Sequence, residues 1–244
     1  MSESNREIPL SRAAPDTAGL LRDARPSARF EREYFETNYR DYDAQNPSYK
    51  LEHYRSAVER HLPPGIPRRL HDVGCAFGRF AGALGPDWQA HGSDVSRYAI
   101  EQARVRFPHV RFCVADGARE LPFDGTFGVV TSFDTLEHVP DCDGVVDRVR
   151  AQLMPGGLFV FVVPAYDGAT APLHRALDRD PTHVHKWPRR AWLDWAARRF
   201  RVLEWHGIAR YLLPGGFYFH WTTRRLRDET PAILVVCRHE ARVQ

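Results

Sequence analysis

Residues 70–78 read LHDVGCAFG, and this stretch decides the fold. A short apolar segment ends at Asp72, and Gly74 and Gly78 follow before a helical pattern over residues 79–84. Glycines in such a turn allow the backbone to approach a ligand closely, and the N-terminal end of the following helix favours negative ligand groups. The stretch therefore predicts a strand, a ligand-binding turn and a helix, but by itself it does not identify the ligand.

Beyond this turn, segments with strand character alternate with helical segments. The predicted strands are residues 70–73, 89–93, 110–114, 127–132, 158–163, 201–206 and 232–238. The predicted helices between them are residues 78–84, 97–107, 143–153 and 189–200. This alternation predicts an α/β fold with a seven-stranded, mostly parallel sheet and helices on both faces. Ligands bind such sheets at the carboxyl ends of the strands.

The remaining segments suggest three accessory parts. Residues 1–28 mix charges and prolines without a period and are predicted to be a disordered tail. Residues 29–65 combine aromatic residues with a helical pattern that ends at two prolines, which predicts a helical cap before the main domain of residues 66–244. Residues 209–230, before the last strand, are too long for a hairpin turn and are predicted to form a lid.

Composition excludes several classes of protein. The 244 residues carry a formal net charge of only +3, so a nucleic-acid partner is not required, although it is not excluded. The four cysteines form no CxxC pair, which argues against a cysteine-based zinc site and a disulfide framework. The longest apolar run, residues 158–163, is too short to cross a bilayer. We therefore expect a cytoplasmic protein with no membrane partner.

Acidic residues follow three successive predicted strands. Asp72 ends the first strand, Asp94 ends the second and Asp116 follows the third. A carboxylate about 20 residues after a glycine turn suits hydrogen bonds to ribose hydroxyls, and Asp116 is suited to accept from the amine of adenine. Any one aspartate is explained as a helix cap, but the whole series at this spacing is not.

The segments HDVGCAFGRF, GSDVSRYAIEQAR, VADG, FDTLEHVPD and LMPGG, in this order, resemble the class I S-adenosylmethionine-dependent methyltransferases over residues 66–240. The resemblance implies a Rossmann-like fold and S-adenosylmethionine as cofactor. It departs from the family pattern at Ala76, where a third glycine is usual, and this change narrows the approach to the ligand. The spacing lacks the dinucleotide fingerprint, which makes a nicotinamide enzyme a distant alternative. The implied cofactor-binding residues are Asp72, Gly74, Cys75, Gly78, Asp94, Val95, Asp116, Gly117 and Phe133.

Methyl transfer requires an acceptor aligned with the sulfonium and shielded from water, and a hydroxyl acceptor must also lose its proton. Two clusters offer groups for this step. The first contains Glu137 and His138 after the fourth strand, and the second contains His183 and His185 before a predicted helix. These four residues are the catalytic candidates.

The spacing of Asp134, Glu137 and His138 allows their side chains to converge in a helical turn. With His183 they resemble the metal-binding set of ubiquinone-pathway O-methyltransferases and small-RNA 2′-O-methyltransferases, which implies a divalent metal, Mg or Mn. Asp134 departs from the glutamate that is usual in the latter group. Alternatively, no metal binds: the glutamate fixes a loop and the histidine lies near the substrate.

The expected function is methyl transfer from S-adenosylmethionine to a small-molecule acceptor, at a hydroxyl oxygen, in secondary or glycan metabolism. Two alternatives remain open. One is an RNA 2′-O-methyltransferase, which predicts a continuous positive surface leading to the cofactor. The other is a protein that binds S-adenosylmethionine but performs other chemistry or none. The sequence does not predict an oligomeric state.

Overall fold

The computed structural model describes residues 27–39, 41–178, 180–213 and 217–240. The predicted tail therefore lies outside the described residues, apart from residues 27 and 28. The strands are β1 (Arg69–Val73), β2 (Gln89–Asp94), β3 (Arg111–Val114), β4 (Phe127–Phe133), β5 (Leu153–Pro164), β6 (Arg201–Leu213), β7 (Phe217–Thr223) and β8 (Ala232–Arg238). The helices are α1 (Arg32–Asn38), α2 (Tyr42–Gln45), α3 (Ser48–His61), α4 (Arg79–Gly82), α5 (Arg97–Arg106), α6 (Cys142–Gln152), α7 (Ala171–Leu177) and α8 (Arg189–Ala197).

The described strands form one sheet in the order β3-β2-β1-β4-β5-β8-β6-β7. Strands β1 to β5 pair in parallel, whereas β8 is antiparallel to both β5 and β6. The strand order reverses between β1 and β4, and that point is where open α/β sheets bind ligands. The predicted α/β fold with a mostly parallel sheet is confirmed.

Successive side chains of β5 point to opposite sides of the sheet, so both faces are apolar and helices pack on each of them. Phe159 and Phe161 pack in one hydrophobic cluster with residues of α6 and α8. Val160 and Val162 pack in the other cluster with residues of α3, so α3 shares a core with the sheet. None of the described helices combines the length and the hydropathy that a membrane span requires.

The sheet has eight described strands instead of the predicted seven, because part of residues 209–230 forms an additional strand. Strand β6 continues to Leu213 instead of ending near residue 206, and β7 pairs with it in an antiparallel hairpin. The side chains of β7 alternate as a strand requires: Phe219 and Trp221 are exposed, whereas His220 is buried. This alternation was present in the sequence, but the length of the segment favoured a lid.

Candidate functional site

A cavity of about 880 Å³ opens at the carboxyl ends of the parallel strands. Its volume lies near the upper end for ligand pockets, so it has room for more than one small ligand. It brings together most of the residues singled out by the sequence. These are Asp72, Gly74, Cys75, Asp94, Val95, Asp116, Gly117, Phe133, Asp134, Glu137, His138 and His183.

The carboxylate of Asp94 organises the turn after β1. Its Oδ2 accepts a hydrogen bond of 2.9 Å from the backbone N–H of Ala76, and its Oδ1 accepts one of 2.9 Å from the backbone N–H of Ser96. Burial nevertheless raises the pKa of Asp94 above its usual value. The side chain thus ties the end of β2 to the glycine turn while it lines the cavity.

Asp72 and Asp116 line the same part of the cavity with different environments. Thr131 donates a hydrogen bond of 2.7 Å to Asp72, and burial raises the pKa of Asp72 to about 7. Asp116 accepts from the backbone N–H of Ala118 at 3.0 Å and is more exposed. Together with Asp94, these side chains make this half of the cavity acidic, which suits a positively charged ligand.

The glycine turn owes its composition to the protein's own packing as well as to ligand access. Gly74 and Gly78 have φ angles of 77° and 75°, which side chains with a Cβ rarely adopt. A Cβ on Gly74 would collide with the side chain of Thr135, and one on Gly78 would lie 2.5 Å from the ring of Phe112. Ala76 also has a positive φ, 45°, so the alanine in place of the usual glycine strains the backbone.

Two of the singled-out residues do not line the cavity. Gly78 lies behind the turn, against Phe112. His185 bonds through Nε2 to the carbonyl of Val139 at 2.8 Å, and its ring packs on Trp187 with centroids 4.6 Å apart. These contacts hold the His185 ring between its neighbours, away from the cavity lining.

His138 is oriented by a chain of hydrogen bonds that the sequence did not predict. The hydroxyl of Thr182 donates to Oδ1 of Asp180 at 2.5 Å, so its oxygen is left to accept the proton on Nδ1 of His138 at 2.7 Å. This network assigns the unprotonated nitrogen of a neutral His138 to Nε2. Burial, assisted by His183, lowers the pKa of His138 to about 4, which keeps the ring neutral at physiological pH.

His183 is held in a similar way by Asp178. Its Nδ1 lies 2.9 Å from Oδ1 of Asp178, whose other oxygen accepts from Tyr166 at 2.5 Å and pairs with Lys186 at 2.8 Å. In the neutral ring this arrangement places the proton on Nδ1 and leaves Nε2 unprotonated. The rings of His138 and His183 lie 4.7 Å apart. In both histidines, a hydrogen bond at Nδ1 therefore fixes the orientation of the ring and leaves Nε2 available.

Glu137 completes this cluster. Its backbone carbonyl accepts from the N–H groups of Val184 and His185, at 2.9 and 3.1 Å, which holds the second histidine segment against the first. Its side chain is only 1% exposed, and Oε2 has no hydrogen-bond partner among the described residues. Burial raises the pKa of Glu137 well above its usual value. Ligand atoms of Glu137, His138 and His183 lie within 4.8 Å of one another.

Asp134 does not join that group. Its φ of 54° turns it away from the strand direction, and it forms an ion pair of 2.6 Å with Arg210 of β6. Burial opposes ionisation of Asp134, but Arg210 and Lys50 outweigh it and lower the pKa. Among the described residues, the cluster suited to a metal is thus a set of three rather than the predicted four.

Several residues of the cap, the loops and the hairpin line the cavity but were not among the predicted site residues. Tyr34 donates to Asp180 at 3.1 Å, which closes α1 over the histidine segment. Lys50 and Arg210 bring positive charge into the cavity from α3 and β6. Two of these carried a signal in the sequence: Tyr34 belongs to the aromatic residues of the predicted cap, and Lys50 is one of two lysines in an arginine-rich chain. The others depend on tertiary contacts between distant segments.

Comparisons with known proteins agree with this architecture. A family model described as a methyltransferase domain matches residues 42–202. A trans-aconitate 2-methyltransferase of Variovorax paradoxus (strain S110) is 31% identical over 134 residues, which are 53% of this chain and 51% of that protein. A ubiquinone biosynthesis O-methyltransferase of Chromobacterium violaceum is 30% identical over 135 residues, which are 50% of this chain and 57% of that protein. The chain thus spans about half the length of the curated relatives it matches.

A solved structure supports the fold from a more distant protein. The N-methyltransferase NodS from Bradyrhizobium japonicum WM9, in complex with S-adenosyl-L-homocysteine, superposes with a TM-score of 0.58 at 18% identity. The match covers 84% of this chain and 95% of NodS. With the family model spanning more than half of the residues and the strand ends arranged as described, the chain belongs to the class I S-adenosylmethionine-dependent methyltransferases.

Proposed function

We propose that this protein transfers the methyl group of S-adenosylmethionine to a hydroxyl oxygen of a small-molecule acceptor, in secondary or glycan metabolism. The observation that carries the proposal is the unprotonated Nε2 assigned to the neutral, buried His138. This residue lines the same cavity as the acidic strand ends. The name of the Chromobacterium relative, an O-methyltransferase, also supports an oxygen acceptor.

The acidic half of the cavity fits the cofactor. Asp94 would accept hydrogen bonds from the ribose hydroxyls, Asp116 would accept one from the amine of adenine, and Asp72 would lie near the positively charged methionine end. The other cofactor candidates that line the cavity would complete the site: Gly74 and Cys75 for the methionine end, Val95 and Gly117 for the nucleoside, and Phe133 for the sulfonium. When bound, the cofactor supplies an activated methyl group to an acceptor held in line with the S–CH₃ bond.

The acceptor proton is removed in the other half of the cavity, which contains His138 and His183. The acceptor hydroxyl donates its proton to Nε2 of His138 as its oxygen forms the bond to the methyl carbon, and the carbon–sulfur bond breaks. Thr182 and Asp180 hold the opposite nitrogen and stabilise the imidazolium that results. Tyr34 and Phe35 of α1 line the cavity and would shield this step from water.

Product analysis with methyl-labelled S-adenosylmethionine tests the proposal. The protein is incubated with a library of small hydroxylated compounds, and both the methylated product and S-adenosylhomocysteine are measured by mass spectrometry. We expect label on oxygen in equal amount to S-adenosylhomocysteine. Formation of methylthioadenosine, label on nitrogen or carbon, or transfer only to RNA would contradict it.

A second proposal concerns a divalent metal, Mg or Mn, held by Glu137, His138 and His183. Three observations support it: the partnerless Oε2 of Glu137 and the two Nε2 atoms left by the hydrogen bonds of Nδ1. A carboxylate or hydroxyl behind each ligand histidine is the usual outer support of such sites. A metal there would occupy Nε2 of His138, so it is an alternative to proton transfer to that atom: it would supply Lewis acidity that lowers the pKa of an acceptor hydroxyl.

Manganese binding tests this site without reference to turnover. We expect Mn²⁺ to bind with one-to-one stoichiometry by electron paramagnetic resonance, and binding to disappear in His183→Gln. The matched control is His174→Gln, which changes another histidine of the cavity wall that stands outside the group of three. No binding to the wild-type protein, or full activity after chelation, would refute the metal and leave His138 as the base.

A further inference from the structure

Residues 27–34, which we call the strap, contact both halves of the cavity. They lead from the first described residue into the first turn of α1. Ser27, Arg29, Phe30 and Tyr34 of the strap line the cavity. The sequence analysis placed the boundary between tail and cap in this segment and predicted no site residue in it.

In the cofactor half, Glu31 anchors the strap. One of its carboxylate oxygens accepts a hydrogen bond of 3.0 Å from the backbone N–H of Arg97, and the other accepts one of 3.2 Å from the backbone N–H of Tyr98. These N–H groups lie in the first turn of α5, where the helix itself offers them no acceptor and where its dipole favours a carboxylate. Glu31 therefore holds the start of the helix that follows Asp94.

The strap also contacts the loop in which Asp94, the proposed ribose ligand, lies. Val95 follows Asp94 directly, and its carbonyl accepts a hydrogen bond of 3.1 Å from the backbone N–H of Ser27. Burial raises the pKa of Asp94, and the nearby negative charge of Glu31 adds to this rise. Displacing the strap would therefore release the loop that carries Asp94.

In the acceptor half, Tyr34 anchors the strap. Its hydroxyl donates a hydrogen bond of 3.1 Å to Oδ2 of Asp180, and Oδ1 of the same carboxylate accepts from Thr182, the residue that supports Nδ1 of His138. The ring of Phe30 packs on the ring of His138 with centroids 5.9 Å apart. The strap is thus an outer support of the proposed base.

Glu31 and Tyr34 stand three positions apart at the start of α1, so one turn of helix joins the two anchors. We infer that the strap couples the two halves of the cavity: it closes over bound S-adenosylmethionine through Glu31 and, in closing, places Tyr34 on the support of His138. Both are positioning residues, because each acts through another group. The inference goes beyond the proposed function and rests on it only for the role of His138.

The test uses S-adenosylhomocysteine as the ligand, so it requires no acceptor. Glu31→Ala removes one anchor, Tyr34→Phe removes the other while keeping the ring, and a double variant removes both. The matched control is Glu33→Ala, an exposed residue of the same helix. Affinity is measured by calorimetry, and closure is measured as amide hydrogen exchange of the strap with and without the ligand.

We expect the ligand to slow exchange in the strap by at least about tenfold in the wild-type protein and in Glu33→Ala. Affinity should fall about tenfold in Glu31→Ala and about fivefold in Tyr34→Phe. The double variant should also lose only about tenfold, because releasing one anchor already opens the strap and leaves little for the second to contribute. Should Glu31→Ala prove unstable by its melting temperature, Glu31→Gln replaces it; it keeps one acceptor oxygen and should lose less affinity.

Three results would overturn the inference. Exchange in the strap that the ligand does not change shows that the strap does not close on it. Wild-type affinity in Tyr34→Phe shows that the two halves are independent. Losses that multiply in the double variant show two separate contacts, such as a direct bond from the Tyr34 hydroxyl to the ligand.

Failure of the proposed function is a distinguishable result. Absence of any methylated product removes the role of His138 as the base. The coupling of the strap to the cofactor still stands in that case if binding and exchange behave as expected, because neither measurement involves an acceptor.

Discussion

The two halves of the cavity are built in different ways. In the cofactor half, Asp72, Asp94 and Asp116 come from the ends of three adjacent parallel strands. In the acceptor half, side chains come from α3, from the turn after β4, from the loop before α8 and from the hairpin, namely Lys50, His138, His183 and Arg210. A sheet edge fixes the first set through backbone pairing, whereas the second set depends on how distant segments pack.

The two halves also differ in charge. The cofactor half presents three aspartates, whereas the acceptor half mixes charges: it combines Lys50 and Arg210 with two histidines and with the carboxyl groups of Asp134, Glu137, Asp178 and Asp180. The acidic cofactor half suits a cationic ligand. In the acceptor half, positive and negative side chains are paired with one another, as Arg210 is with Asp134 and Lys186 with Asp178.

Replacing His138 should produce the largest loss of activity, and this loss should leave cofactor binding unchanged. We expect His138→Gln to lower kcat by about 10²- to 10⁴-fold, because the proton acceptor is lost. The affinity for S-adenosylhomocysteine, measured by calorimetry, should stay within about twofold of wild type. An unchanged kcat would show that His138 is not the base.

The matched control is His185→Gln, since the sequence placed His185 among the catalytic candidates as well. His185 does not line the cavity and its Nε2 bonds to the carbonyl of Val139, so we expect kcat to stay within about threefold of wild type. Its melting temperature should fall by a few degrees because that hydrogen bond is lost. A loss of kcat equal to that of His138→Gln would restore His185 as a catalytic residue.

Removing the carboxylate of Asp94 should produce the next largest effect, in the cofactor half. We expect Asp94→Ala to weaken S-adenosylhomocysteine binding by about 100-fold, since it removes the proposed hydrogen bonds to the ribose and the two observed ones that hold the turn. Asp147→Ala, in a surface ion pair with Arg199, is the control and should leave affinity unchanged. Equal affinities for both variants would contradict the assignment of Asp94.

The cofactor half could be predicted from the sequence because its signals are local. The alternation of strands and helices predicts a parallel sheet, and the positions of Asp72, Asp94 and Asp116 directly after successive strands place all three at the carboxyl edge of that sheet. The acceptor half could not, because the pairing of Arg210 with Asp134 depends on a hairpin that the sequence analysis interpreted as a lid. That pairing also explains why Asp134, which the sequence groups with Glu137 and the histidines, lies outside the cluster of Glu137, His138 and His183 among the described residues.

Thr182→Val tests whether the hydrogen bonds from Asp180 through Thr182 to His138 contribute to catalysis. Thr182→Val keeps the shape of the side chain but removes the acceptor for Nδ1 of His138. We expect kcat to fall about tenfold, as the loss of one hydrogen bond implies, with unchanged KM for S-adenosylmethionine. Thr182→Ser restores the hydroxyl and should recover most of the rate. A purely structural role predicts instead a lower melting temperature at wild-type kcat.

The smallest effect concerns the one irregular residue of the cofactor half. Size suggested that Ala76 merely narrows the glycine turn, but its φ of 45° shows that the backbone conformation is the stronger reason for a glycine there. The left-handed region costs an alanine about 1–2 kcal/mol, and glycine loses roughly 0.5–1 kcal/mol more conformational entropy on folding. We therefore expect Ala76→Gly to raise the free energy of unfolding by up to about 1 kcal/mol, measured by chemical denaturation.

Ala83→Gly, at a position with φ of −85°, incurs only the entropic loss and should destabilise the protein. If both variants are destabilised equally, the turn stores no strain at Ala76, and its alanine costs the cofactor half nothing.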